Sequence, residues 1–281
     1  MFSFVAATSY PGRVITNHHH GLRRLDFTGF NTRLKHKQSK SSQNWIQRQK
    51  KDPYVQKAQA MGLPSRASFK LQEINETHYP TLMKKKGKKS VPGKNKRLLQ
   101  AHMNIVDLGA SPGGWSLYAS TQVKEGIIVA VDLLPLDDTK ISLNLPNFEF
   151  IQGDFTESKT KQQIIDILAQ EKADLVMSDM AQNFLGDDRT DALRTLNLCE
   201  QALVFAAGGS CFDDSFSPGA NEGMLAKGGS FLCKFFSCGR ENEDDLMQAA
   251  KRAFRSVNVI KPKSSRKESS EKYLLAIDKR G

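Results

Sequence analysis

From residue 104 onward, short apolar runs alternate with stretches whose apolar positions recur every three or four residues. Apolar runs of about four to six residues read as strands, and a 3.6-residue recurrence reads as helix. The pattern predicts strands over 104–108, 127–132, 148–152, 174–178, 230–235, 257–260 and 273–277. It predicts helices over 114–123, 158–171, 188–207 and 241–254 between them, and two more over 54–61 and 65–78 ahead of them. In the 65–78 segment Ser65 is a capping residue, and Phe69, Leu71 and Ile74 supply the apolar face. Strands alternating with helices predict an α/β fold, a mostly parallel sheet covered on both faces. Only a short polar link joins the last two strands, so they are expected to form an antiparallel hairpin at one edge. Residues 84–96 form a basic loop with Gly and Pro breakers, and 206–227 read as a Gly/Ser-rich surface loop.

Candidate chemistry gathers at the predicted strand ends. The segment Ile105-Val106-Asp107-Leu108-Gly109-Ala110-Ser111-Pro112-Gly113-Gly114-Trp115 runs from an apolar strand through a small-residue loop into a helix. Gly109, Gly113 and Gly114 let the backbone approach a ligand, and the helix start offers free N–H groups. The spacing is not G-x-G-x-x-G, and Pro112 removes one N–H, so a phosphate cradle fits less well than a nucleoside carrying no phosphate. Asp132 ends the second strand, where a carboxylate can accept hydrogen bonds from ribose hydroxyls. Asp154, after the third, is placed to meet an adenine amino group. Taken singly, each Asp reads as a helix cap or turn residue; three ordered signals along one sheet edge favour a ligand. Asp179 follows the fourth strand. Lys234 lies within the apolar fifth strand. It is either a snorkelling or ion-paired structural cation, or a lysine whose pKa is lowered by burial or a neighbouring cation so that it can act as a base.

Composition adds a partner class. The 281 residues carry a formal charge of +11 and are 39% hydrophobic, with a pI of about 9.4. Such charge suits a polyanion, nucleic acid or an acidic membrane surface, or serves solubility alone. The four cysteines, Cys199, Cys211, Cys233 and Cys238, form no C-x-x-C pair and have no histidine cluster beside them, so no metal site is expected and reduced thiols in an intracellular compartment are. No run approaches the ~20 apolar residues of a membrane span. Residues 1–50 hold many Arg and Lys and a single acid, Asp26. They read as a mitochondrial transit peptide or as a disordered basic arm touching RNA, ahead of a catalytic domain over 51–281.

These segments together resemble the FtsJ-like ribose 2′-O-methyltransferases. The resemblance is carried by Asp52-Pro53-Tyr54-Val55, Ser65-Arg66-Ala67-Ser68-Phe69-Lys70-Leu71, the run from Val106 to Trp115, Asp132-Leu133-Leu134-Pro135, Gln152-Gly153-Asp154, Ser178-Asp179-Met180-Ala181, Gly228-Gly229-Ser230-Phe231, and Lys261-Pro262 through Ser265-Arg266 to Glu271 and Tyr273. It covers about residue 45 to the end. It is strongest with the mitochondrial branch, on Gln43-Asn44-Trp45 leading into Lys51-Asp52-Pro53-Tyr54 and on the segment from Ser264 to Glu271.

The resemblance implies a Rossmann-like methyltransferase fold with a seven-stranded, mostly parallel sheet, and S-adenosyl-L-methionine as cofactor. It implies a catalytic tetrad of Lys70, Asp179, Lys234 and Glu271, and cofactor contacts at Gly113, Trp115, Asp132, Asp154 and Asp179, with no metal. Lys234 would take or steer the ribose proton, Lys70 would favour its neutral form by repulsion, Asp179 would orient it, and Glu271 would hold the lysines in register. Asp179 and Glu271 also favour a charged lysine, and the sequence leaves that balance open. The implied substrate is a uridine ribose of mitochondrial large-subunit ribosomal RNA, met within a precursor particle by a monomeric enzyme. A relative acting on transfer RNA or on nucleolar RNA, in cytoplasm or nucleolus, shares all this chemistry; an RNA-binding assembly factor stands as the reading of a different class. Gln182 replaces a usual Pro, and the 84–96 and 206–227 loops are longer than typical.

Overall fold

The structure is a computed structural model and describes residues 51–85, 97–136, 147–181, 186–212 and 223–281. The expectations for residues 1–50, for most of the basic loop and for Gln182 lie outside the described residues.

Seven strands form one sheet: β1 (Ile105–Leu108), β2 (Ile128–Asp132), β3 (Phe148–Gln152), β4 (Ala173–Ser178), β5 (Leu225–Phe236), β6 (Phe254–Ile260) and β7 (Glu271–Lys279), in the order β3-β2-β1-β4-β5-β7-β6. The first five run parallel; β7 lies antiparallel between β5 and β6. This is the expected Rossmann-like methyltransferase architecture with its edge hairpin. The helices are α1 (Pro53–Ala60), α2 (Ala67–Glu73), α3 (Tyr79–Lys85), α4 (Gly114–Gln122), α5 (Ser158–Ile167), α6 (Asp188–Ala207) and α7 (Arg240–Ala253). Among the described residues no helix is long and apolar enough to cross a membrane.

Alternation along the strands builds two cores. Val106, Leu108, Val176, Phe231, Cys233 and Leu274 face α5, α6 and α7. Ile105, Leu175, Met177, Leu232, Tyr273 and Leu275 face α2, α3 and α4. Side chains two residues apart share a face. Asp107 therefore falls on the α2–α4 face with Ile105, Lys234 with Leu232, and Glu271 with Tyr273. One face of the sheet thus carries both its apolar core and a row of ionisable groups.

Two expectations need correction. The helix expected over 65–78 is α-helical only to Glu73 and continues as a π-turn over Ile74–His78 before α3. Buried Asn75 sits in that turn; its amide donates to Tyr118 Oη (3.0 Å) and its carbonyl accepts from Leu99 N (2.9 Å). A bulge is how the helix presents this polar side chain to both partners. The loop expected over 206–227 is shorter than that. A 3₁₀ turn spans Gly209–Cys211, β5 begins at Leu225, and Cys211, Met224 and Leu225 are buried. The strand starts early because Leu225 pairs with Ala173 across a register shift, which the Gly-rich sequence hides.

Candidate active site

The strand order reverses between β1 and β4, and open α/β sheets bind ligands at such a switch point, beyond the carboxyl ends. Gly109 leaves β1 with φ +72°, and a Cβ there would lie 2.0 Å from Met180 Cγ, just past β4. Only glycine lets the two loops close to this distance. Gly113 takes φ +100° and turns the chain into α4, whose first N–H groups have no acceptor within the helix. Asp132 accepts from Ser111 N and Leu134 N, both at 2.8 Å, and so braces the loop while remaining half-exposed. Asp154 turns one oxygen onto Thr156 N (2.8 Å) and Thr156 Oγ1 (2.7 Å), the geometry of a turn cap. Trp115 is buried, donates its indole N–H to Ala67 O (3.0 Å) and packs on Tyr273. What it can offer a ligand is its backbone N–H in the first turn of α4.

Asp107 sits under this loop, a buried residue absent from the expected site. Its Oδ2 accepts from Ser116 Oγ at 2.6 Å, and its buried Oδ1 has no partner among the described residues. Burial foremost, with the charges of Asp179 and Asp132 adding to it against the Ser116 hydrogen bond, raises its pKa to about 7. The donor set suits an amino-acid-bearing nucleoside: carboxylate oxygens for hydroxyl and amino groups, helix N–H groups for a carboxylate.

The expected tetrad is brought together. Lys234 on β5 pairs with Tyr273 on β7, and two residues on Phe236 pairs with Glu271; α2 lays Lys70 over them. Lys70 Nζ donates to Glu271 Oε2 at 2.7 Å. Lys234 Nζ donates to Asp179 O and lies 3.1 Å from Asp179 Oδ1. Tyr273 Oη donates to the same carboxylate at 2.9 Å. Ser265 Oγ holds the other Glu271 oxygen at 2.6 Å. Burial works most strongly against the Asp179 anion, yet Lys234, Lys70 and the Tyr273 hydroxyl together hold its pKa below the ordinary value. Burial first, then the Asp179 and Glu271 charges, push the Tyr273 phenol far above its usual range, so it stays a donor. The result is two lysines, two carboxylates and two hydroxyls in one buried network. Tyr273 and Ser265 lie in segments of the sequence resemblance but carry no expected role; the β5–β7 register fixes the part of Tyr273 and the β6–β7 connector that of Ser265, and no local spacing encodes either.

Two further carboxylates tie the network's supports. Glu73, at the end of α2, accepts from Lys263 N (2.7 Å), Ser264 N (2.9 Å) and Ser264 Oγ (2.8 Å). Asp52 caps α1 through Tyr54 N and pairs with Arg66 and Arg266. Both bind the β6–β7 connector to the N-terminal helices. Among the described residues no cluster of metal-binding side chains is present, and the four cysteines are free.

The FtsJ-like methyltransferase family model matches residues 63–279. Ribosomal RNA large subunit methyltransferase E of Rickettsia felis is 42% identical over 250 residues, covering 87% of this chain and 92% of that protein. Its counterpart in Rickettsia conorii is 40% identical over the same coverage. A crystal structure from Plasmodium falciparum, described as that of a ribosomal RNA methyltransferase, superposes with a TM-score of 0.53 at 22% identity, over 78% of this chain and 99% of its own, and shares the fold.

Proposed function

The chain belongs to the FtsJ-like methyltransferase family and is a methyltransferase; from that premise we propose that it methylates a ribose 2′-hydroxyl of large-subunit ribosomal RNA, using S-adenosyl-L-methionine. The observation that carries the reading is the single buried network of Lys70, Asp179, Lys234 and Glu271 at the strand ends, beside the β1–α4 loop.

S-adenosyl-L-methionine would be held by the loop from Gly109 to Trp115 with Asp132, Asp154 and Asp179, and would supply a methyl group on a positively charged sulfur that leaves as a neutral thioether. A ribose hydroxyl is a weak nucleophile at neutral pH, so the protein must orient it and relieve it of a proton. Lys234 Nζ is the atom that meets the hydroxyl; in its amine form it accepts the proton as the oxygen takes the methyl. Asp179 holds that nitrogen through its carbonyl and carboxylate. Lys70 adds a second positive charge, which stabilises oxygen charge as it develops. Glu271 anchors Lys70 and is itself held by Ser265. Tyr273 is fully buried and packs on Trp115, so this side of the network faces the core.

The finer reading is a uridine of mitochondrial large-subunit RNA, methylated by a monomer on a precursor particle. It rests on the acid-poor, basic segment 1–50, read as a transit peptide ahead of the domain 51–281, and on the resemblance of 43–54. Mapping 2′-O-methyl groups in organellar and cytosolic RNA, with and without the protein, tests both levels. One organellar large-subunit ribose should lose its methyl group; a loss in cytosolic RNA only would sink the organellar reading, and a methyl lost from a base would sink the ribose chemistry.

A further inference from the structure

A second recess, of about 790 Å³, opens between the start of α1 and the β6–β7 connector, with Asp52, Tyr54, Arg66, Ser265, Arg266 and Lys267 on its walls. It shares no residue with the β1–α4 loop or with Asp132 and Asp154. Its charge is unbalanced: among the described residues, Lys51, Arg66, Arg266 and Lys267 face only Asp52 and Glu268.

Asp52 does not neutralise these cations so much as fix them. Its Oδ2 accepts from Arg66 Nη1 and from Arg266 Nε (3.0 Å), while Oδ1 accepts from Tyr54 N (3.0 Å). Arg66 Nη2 is fastened to Ser264 O. Burial is the largest influence on the Asp52 carboxyl, yet Arg266, Arg66 and the backbone donors overcome it and keep the group below its usual pKa, so the anchor stays charged. Both guanidinium groups are thereby held rigid, and each keeps one buried donor, Arg66 Nε and Arg266 Nη2, with no partner among the described residues. A buried charged donor left unpaired is costly. Both atoms are sealed from solvent, so what the recess offers an oxyanion is its accessible cations, the part-exposed Arg266 guanidinium with Lys51 and Lys267. Arg66 also lies 5.7 Å from the Tyr54 ring centroid, so an aromatic face stands at the same wall.

The recess touches the reaction network at one point. Ser265, on its wall, donates to Glu271, which holds Lys70. We propose that this recess seats a phosphodiester of the RNA next to the methylated ribose, with the exposed part of the Arg266 guanidinium and the Lys51 and Lys267 ammonium groups donating to its oxygens and Tyr54 facing the adjoining base. The inference rests on the reading of RNA as substrate. The seat sets the register of the strand: a phosphate fixed here delivers the neighbouring ribose to Lys234, and rigid guanidinium groups make that placement repeatable.

The test uses the full chain, S-adenosyl-L-methionine and a transcript of the methylated RNA region, with single-turnover rate, half-saturating RNA concentration, cofactor affinity and thermal melt measured together. Arg66 is left intact because it holds Ser264. R266Q should raise the half-saturating RNA concentration about tenfold, and K267Q about threefold, with far smaller change in the rate at saturating RNA. Neutral methylphosphonates placed singly along the RNA should weaken wild type at one position next to the target, and R266Q should be insensitive there. Equal methylphosphonate profiles in the two proteins overturn the seat, as does an unchanged half-saturation in R266Q. Should R266Q melt early, R266K keeps a charge beside Asp52 but lacks the second nitrogen, and it must show the same lost position. A melt raised by sub-millimolar inorganic phosphate in wild type and not in R266Q, without any methylphosphonate effect, would assign the recess to a free anion and overturn the RNA seat. Absence of methyl transfer to RNA by wild type would instead defeat the proposed function, so the two failures are distinct.

Discussion

Lys234 makes both of its contacts to one residue, Asp179, so catalysis and structure can be separated by truncating it. In Lys234→Ala, Asp179 keeps the Tyr273 hydroxyl and the nearby Lys70 charge. The destabilisation should therefore be smaller than the roughly 3–5 kcal/mol of a stranded buried charge, while single-turnover methyl transfer drops about 10²–10⁴-fold. Lys234→Arg should not restore it, since a guanidinium stays protonated. A well-folded, cofactor-binding Lys234→Ala protein that methylates near the wild-type rate would remove Lys234 from the chemistry. Asp107 gives a pH signature. Its pKa is about 7 in the fold against an ordinary 3.8, so the fold prefers the neutral acid. Below about pH 4 the group is neutral folded or unfolded and costs nothing. As pH rises from about 4 to 7 the unfolded chain ionises first, stability falls, and above that the penalty is constant. Some three units at about 1.4 kcal/mol each set a ceiling near 4 kcal/mol. Asp107→Asn can still accept from Ser116 and carries no such penalty, so its melting advantage over wild type should grow between pH 4.5 and pH 7.5. An advantage that does not change with pH would contradict the assignment.

The connector between β6 and β7 behaves as part of the site because Glu73 gathers three of its donors. Glu73→Ala should free them, at about 1–3 kcal/mol. Amide exchange should quicken across 261–270 while α7 is unaffected, and activity should fall further than the folded fraction, because Ser265 loses its bearing on Glu271. Exchange that quickens everywhere alike would mean a merely global loss of stability. How the elements could be foreseen differs among them. The five parallel strands were legible because each is an apolar run with a turn on either side, and their strand-end acids marked the site's edge. Alternation within β5 even gives the face on which Lys234 falls. The pairing of Lys70 with Glu271 spans 201 residues, and nothing local encodes it; only the resemblance joined them. Asp107 read as one letter in a loop motif, because its isolation depends on helices packed over it. The π-turn was hidden too, since the apolar spacing of α2 continues smoothly through Ile74 while buried Asn75 pulls the backbone out of α geometry.

At the scale of the whole molecule the +11 charge predicts an RNA affinity that weakens steeply with salt. Replacing Lys84, Lys85, Lys86, Lys88 and Lys89 with Gln should flatten the slope of log affinity against log salt by about 0.7 for each lysine that touches a phosphate on single-stranded RNA. Cofactor affinity should be unchanged, and an unaltered slope would make the stretch a solvated surface only. The antiparallel placement of β7 between β5 and β6 bears on how the protein comes into being. During synthesis the first 270 residues can lay down the parallel strands, but not the strand that brings Glu271 and Tyr273 to Lys234. Until that strand arrives, the open edge of β5 is exposed to pairing with other chains. Termination before Glu271 would therefore take an interior strand from the sheet and leave Lys70 without its counterion, so a shortened product should be a target for chaperones and proteases and should show no trace of catalysis.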